Sequence, residues 1–159
     1  MCRSLYPRLV GQLSLYCGDN LVAEELAQET LVRLCRDWKK VRDLDHPEAW
    51  AFRVAINLGN SLYRRRAAER SARARMEGSV HRPQHADATE QHALVSALKK
   101  LPHKQRAALV LRFYGDQTFA EIGRTLDIPE PTAKSLVRRG LQRLREDPAV
   151  PGVEDVSLA

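Results

Sequence analysis

The chain has 159 residues, in which 26 Lys and Arg outweigh 20 Asp and Glu for a net charge of +6. That length fits one domain or two small ones, and the positive balance favours a polyanionic partner, either nucleic acid or an anionic membrane surface. The longest apolar runs are far too short to cross a bilayer and no signal-peptide core opens the chain, so a cytoplasmic location without membrane insertion is expected.

Leu5 to Tyr16 reads as a short amphipathic segment that Gly18 and Asp19 bring to a stop. Asp19 or Asn20 can then cap a second helix, a short polar side chain accepting from the free N–H groups of its first turn. In VAEELAQETLVRLCRDW, residues Ala23, Ala27, Leu31, Leu34 and Trp38 recur every three or four positions, the period of one buried helix face. Glu24, Glu25, Gln28, Glu29 and Val32 lie away from that face. On periodicity alone this acidic surface is a solvated one. Cys2, Cys17 and Cys35 are too few and too scattered for a disulfide framework, which fits a reducing compartment, and Cys35 is expected to be a buried structural thiol.

A third helix is capped by Asp45 or His46, with Pro47 near its first turn. The segment PEAWAFRVAINLGNSLYRRR places Ala51, Val54, Leu58 and Leu62 on a core stripe, bordered or opposed by Trp50, Arg53, Asn57 and Arg64. It runs into a stretch from Arg64 to Arg75 with six arginines and a single Glu69. Such density means electrostatics rather than core, and a single strand of nucleic acid could lie along it. From about Ala67 to Gln91 the apolar period is lost, and Gly78, Ser79 and Pro83 mark an exposed linker. His81, His85 and His92 have no cysteine nearby and match no usual zinc spacing, so no metal is assigned.

Beyond the linker, Ala93 to Leu101 and Gln105 to Tyr114 read as two helices broken at Pro102. Phe119, Ile122 and Leu126 form the stripe of a short helix, and Asp127 follows where the chain must turn through the left-handed conformation. Pro131 fits the start of the next helix, where its missing N–H would have no partner. In that helix Ala133, Val137, Leu141 and Leu144 share one side, with Ser135, Arg138, Arg139 and Gln142 opposite and Lys134 and Arg145 flanking them. A short helix, a sharp turn and a helix with a cationic outer face fit a DNA-reading helix-turn-helix. The tail after Glu146 is expected to be disordered. No β-pattern appears, so the fold class is all-α: two small helical domains on a flexible linker, the second a four-helix domain with a helix-turn-helix.

Three passages, AEELAQETLVRL, PEAWAFRVAINL with its arginine run, and LPHKQRAALVLRFYGDQTFAEIGRTLDIPEPTAKSLVRRGL, resemble the extracytoplasmic-function sigma factors of bacterial RNA polymerase, in the family's order. The resemblance implies a region 2 over residues 1–66, a linker over 67–92, a region 4 over 93–146 and a disordered tail over 147–159. It implies that Glu25, Gln28 and Glu29 dock on the clamp coiled coil of the largest subunit of core RNA polymerase. Trp50, Arg53, Asn57, Arg64 and Arg65 fall in the part that melts and reads the −10 element of promoter DNA, where a flipped base is taken. Pro131, Thr132, Lys134, Ser135, Leu136, Arg138 and Arg139 fall in the helix that enters the major groove at the −35 element. It further implies a restraining anti-sigma factor, a non-catalytic role and no cofactor.

The chain departs from the family at several positions. Leu136 stands where arginine is common and could meet a thymine methyl instead of making a base or phosphate contact. Pro131 replaces a usual glycine, Ser61 a frequent aspartate and Glu25 a usual aspartate, and the family's first helix is expected to be shortened or missing. A stand-alone helix-turn-helix regulator would explain Thr118 to Arg145 but leaves the first domain without a role. A linker of about 25 residues spans ~25–30 Å as a relaxed coil, short of the roughly 70 Å between elements two DNA turns apart. Both readers should therefore engage together only on a surface that extends the linker.

Overall fold

The computed structural model describes residues 1–77 and 90–150. Its helices are α1 (Cys2–Cys17), α2 (Asn20–Arg36), α3 (Trp38–Val41), α4 (Pro47–Glu77), α5 (Glu90–Lys100), α6 (His103–Leu109), α7 (Phe119–Leu126) and α8 (Glu130–Arg145). A π-helical turn over Val110–Tyr114 carries α6 onward to the loop before α7. Among the described residues there is no strand.

Helix α1 buries Leu5, Leu9, Leu13 and Tyr16 and ends at Gly18, whose φ of 67° lets its N–H turn back to Ser14 O. It is sixteen residues long and starts at Cys2, three residues before the Leu5 at which the amphipathic segment is expected to begin. Asp19 caps α2 by accepting from the Val22 N–H at 3.2 Å. Helix α2 then packs along α1 through Val22, Ala23, Ala27, Thr30 and Leu34. The helix breaks at Asp37, so Trp38 starts a separate short turn and stays 39% exposed instead of closing the stripe. Cys35 is exposed as well, and the buried thiol is Cys17.

The core face of α4 is displaced from the expected one. Ala51, Phe52, Ala55 and Ile56 are buried, whereas Val54, Leu58 and Leu62 are half-buried. Small residues carry this contact because α1 passes close: a Cβ at Gly59 would sit 3.0 Å from the Tyr16 ring. Beyond Tyr63 the helix continues to Glu77 with residues 64–76 exposed. The first part of the expected linker is thus a helical arm that carries the arginines. Twelve residues separate α4 from α5, and drawn straight they would reach at most ~40 Å. The expected 25-residue coil therefore overstates the slack in the chain. Residues 78–89, His81 and His85 among them, lie outside the described residues.

In the C-terminal half, α8 lies against α6 and α7, burying Ala133, Val137, Gly140, Leu141 and Leu144. Gly140 permits the approach, since a Cβ there would meet Leu109 Cδ1 at 2.9 Å. The tail is ordered further than expected: Asp147 pairs with Lys100 at 2.8 Å and Val150 packs against the core, while residues 151–159 lie outside the described part. The two halves are also packed on each other. Helix α1 meets α5 and the π-helical turn, and α4 meets α7.

Candidate nucleic-acid interface

The helix-turn-helix is held by local hydrogen bonds. Thr118 Oγ1 accepts from the Glu121 N–H at 3.2 Å while the Glu121 carboxylate accepts from the Thr118 N–H at 2.7 Å, a reciprocal cap for α7. The Thr118 N–H first, and then the Thr118 hydroxyl donating to the same carboxylate at 2.8 Å, hold the Glu121 carboxyl below its usual range. Beneath the helix, the buried Thr125 hydroxyl donates to Gln117 Oε1 at 3.1 Å, tying α7 to the preceding loop. The turn into α8 places Asp127 at φ 58°, as its position predicts, and Gly123 lets the chain return so closely that a Cβ would meet Ile128 O at 2.8 Å. Pro129 is the N-cap of α8, so Pro131 falls in the second position rather than the first.

On α8, Pro131, Thr132, Lys134, Arg138 and Arg139 are exposed on one continuous surface. Ser135 and Leu136 are half-buried, and Leu136 packs against the core, which withdraws it from the outer face. Lys134 Nζ lies 6.0 Å from the centroid of the Phe119 ring, and the Arg112 guanidinium lies 5.0 Å from the same ring. A helix of sixteen residues is about 24 Å long, enough to lie across a major groove.

The residues expected at the −10 element are divided. Arg64 and Arg65 are exposed at the root of the arginine arm. Trp50 is half-buried against the core. Asn57 is exposed at the mouth of a crevice of about 290 Å³ that it lines with Arg53, His103, Lys104 and Asp127. Arg53 is half-buried, with its guanidinium turned toward the end of α7. Its Nε donates to Thr125 O at 3.1 Å, Nη2 donates to Arg124 O, and the guanidinium lies 3.8 Å from Asp127. The sequence reading missed the basic start of α6, His103 and Lys104, beside Asn57. A basic pair directly after a helix-breaking proline was the available signal. Burial, then the neighbouring cations Lys104, Arg106 and Arg64, lowers the His103 pKa.

Glu25, Gln28 and Glu29 are exposed on α2, with Glu29 accepting from Arg33 Nε at 2.7 Å. This acidic face and the cationic face of α8 belong to separate halves of the molecule. Among the described residues, no group of three or more His, Cys, Asp or Glu could hold a metal ion. No described helix is long and apolar enough to cross a membrane.

Two family models match the chain: "Sigma-70 region 2" over residues 1–69, and "Sigma-70, region 4" over residues 97–146. The chain belongs to the sigma-70 family, in its extracytoplasmic-function group. Region 2 therefore takes in α1, α2, α3 and most of α4, and region 4 ends with the helix-turn-helix. Among relatives, the RNA polymerase sigma-E factor of Streptomyces coelicolor is 35% identical over 133 residues, 81% of this chain and 73% of that protein. The sigma-E factor of Streptomyces avermitilis is 34% identical over 81% of this chain and 72% of its own length. The ECF sigma factor SigE of Mycolicibacterium smegmatis is 32% identical over 87% of this chain and 55% of its own. A crystal structure of the sigma factor RpoE in complex with the anti-sigma factor NepR, from Bartonella quintana, matches in fold with a TM-score of 0.68. That likeness covers 89% of this chain and 90% of the other at 23% identity.

Proposed function

We propose that the chain binds core RNA polymerase, directs it to specific promoters and promotes the melting of DNA at the start site. The observation that carries this reading is the presence of regions 2 and 4 in one chain, with an acidic face on the first and a cationic reading helix on the second. Region 2 over residues 1–66 and region 4 over residues 93–146 divide the work. Glu25, Gln28 and Glu29 dock on the clamp coiled coil of the polymerase. Trp50, Arg53, Asn57, Arg64 and Arg65 serve the −10 element, with the exposed arm from Arg64 to Arg75 holding phosphates of the displaced strand. Lys134, Arg138 and Arg139 read or grip the −35 duplex, and Pro131, Thr132 and Ser135 set the helix start against its backbone. Leu136 supports the helix from within rather than touching a thymine methyl.

The role is one of binding, not catalysis, and is exercised in the cytoplasm where polymerase works. The solved neighbour is held by an anti-sigma factor, and a restraining partner of that kind is proposed here. Run-off transcription tests the reading. Core polymerase on a pooled library of genomic fragments should give discrete promoter-initiated transcripts only when this chain is added. Transcript patterns that are the same with and without the chain would reject it.

A further inference from the structure

Two cysteines that look scattered in the sequence are symmetric about one turn. Gly18 and Asp19 join α1 to α2, and the two helices pack along each other. A connection this short makes them antiparallel neighbours. Cys2 lies fifteen residues before the end of α1, and Cys35 fifteen residues after the start of α2. At about 1.5 Å per residue, each is therefore ~22 Å from the turn. The two stand level at the open end of the hairpin.

Both residues are exposed, both thiols are free, and both line one crevice of about 340 Å³ beside Leu34 and Trp38. A disulfide needs Cα atoms roughly 4.4–6.8 Å apart. Each cysteine lies in a terminal turn, Cys2 as the first residue of α1 and Cys35 one before the last of α2. Helix ends yield at the least cost, so small adjustments there bring the sulfurs together. The third thiol is out of reach. Cys17 is buried at the opposite end of α1, ~22 Å along the helix from Cys2.

We propose that Cys2 and Cys35 form a dithiol site that hydrogen peroxide converts to a disulfide, stapling the open end of the α1–α2 hairpin, and that thiol reductants reopen it. One sulfur attacks a peroxide oxygen, the O–O bond breaks, and a sulfenic acid forms as the thiol proton leaves with the other oxygen as water. The second sulfur then attacks the first, an S–S bond forms, and the S–O bond breaks with loss of a second water. In all, the two sulfurs give up two electrons and the peroxide takes them. Cys35 lies two turns beyond Gln28 on the same side of α2. The staple thus closes beside the face assigned to polymerase, uses none of its residues, and holds that helix in place under oxidising conditions. The site rests on the geometry of the hairpin and not on the function proposed above.

The test treats the full reduced chain with hydrogen peroxide, quenches it with iodoacetamide and digests it with trypsin without reduction. The expected product is a cross-link between the peptides Met1–Arg3 and Leu34–Arg36, formed at a rate independent of protein concentration and with Cys17 left out of the bridge. Because the bridge closes the loop over residues 3–34, the oxidised monomer should melt roughly 5–15 °C above the reduced one. Dithiothreitol should reverse the shift. Cys2→Ser and Cys35→Ser should each melt like the reduced wild type, with or without peroxide, and should each leave a sulfenic acid that dimedone traps. Sulfenic acid that accumulates at both wild-type thiols without a cross-link overturns the proposal. A bridge formed only between two chains, or one that includes Cys17, also overturns it. A Cys2–Cys35 bridge with no rise in melting temperature overturns the staple.

Discussion

Reversing the charge of Glu25 and Glu29 together separates a docking role from a merely solvated helix face. Both side chains are exposed on α2. Glu29 is held by Arg33 at 2.7 Å, with the two side chains 46% and 39% exposed. An exposed pair one helical turn apart contributes ~0.3–0.5 kcal/mol, and a like-charge pair costs a similar amount. The double variant Glu25→Lys, Glu29→Lys should therefore lose less than ~1 kcal/mol of stability, a shift of only a few degrees in its melting temperature. Against polymerase the arithmetic differs. Each reversal removes an attraction of ~0.2–1 kcal/mol for a partly exposed ion pair and adds a comparable repulsion. Two such sites give roughly 0.8–4 kcal/mol, a weakening of ~4–900-fold in Kd. Fluorescence anisotropy of the labelled chain titrated with core polymerase measures it, with circular dichroism as the control for folding. Glu24→Lys, an exposed carboxylate on the same helix outside the proposed contact, should change affinity much less. Core affinity unaltered by the double reversal would refute the assignment.

Lys134→Ala and Arg138→Ala should each weaken binding to −35 duplex by ~1–3 kcal/mol where a base is read, whereas Asn57→Ala should leave duplex binding intact and lower the yield of heparin-resistant open complexes. Equal yields from Asn57→Ala and wild type would move base capture elsewhere. In the native chain the exposed Cys2 and Cys35 should react quickly with Ellman's reagent. Cys17, whose thiol burial pushes up to about 11, should react only after unfolding. Three fast thiols in the native chain would contradict this packing. Thr118→Ala should cost ~0.5–2 kcal/mol by removing the α7 cap. The Glu121 half of that cap has a folded pKa below its ordinary 4.5, so its contribution is present above that pH and disappears as the pH falls through the lowered value. Glu121→Gln should accordingly flatten the acid limb of the stability curve, as thermal melts between pH 3 and pH 7 would show, with an unchanged limb counting against the cap.

The parts of the fold legible in the chain are those where one strong stripe meets one strong turn signal. In α8 the buried set Ala133, Val137, Leu141 and Leu144 is the one its spacing predicts, and Asp127 takes the left-handed turn. In α4 the buried positions are Ala51, Phe52, Ala55 and Ile56, with Gly59 against Tyr16 of α1, while the larger Val54 and Leu58 that spacing favours stay half-buried. Trp38 continued the α2 period on paper, but the helix ends at Asp37, a break that spacing alone does not reveal. The lost apolar period over residues 67–77 reads as linker, yet an exposed helix needs no apolar face, and α4 continues through it. Among site residues, the exposed charges on α2 and α8 followed from their helix positions. The engagement of Arg53 did not, because its partners are backbone carbonyls more than seventy residues away in the other region. Periodicity equally gives no sign that Arg106 is buried, since its side chain is enclosed by Tyr16 of α1 and Tyr63 of α4, distant in sequence.

Permanganate reactivity of thymines at a promoter recovered from the run-off experiment tests the central claim most directly. Four mixtures are compared: DNA alone, DNA with core polymerase, DNA with this chain, and DNA with both. The account predicts reactive thymines downstream of the −10 element only when both proteins are present. Melting with core polymerase alone would contradict it, as would unmelted DNA in the full mixture alongside tight, sequence-specific duplex binding by the chain by itself.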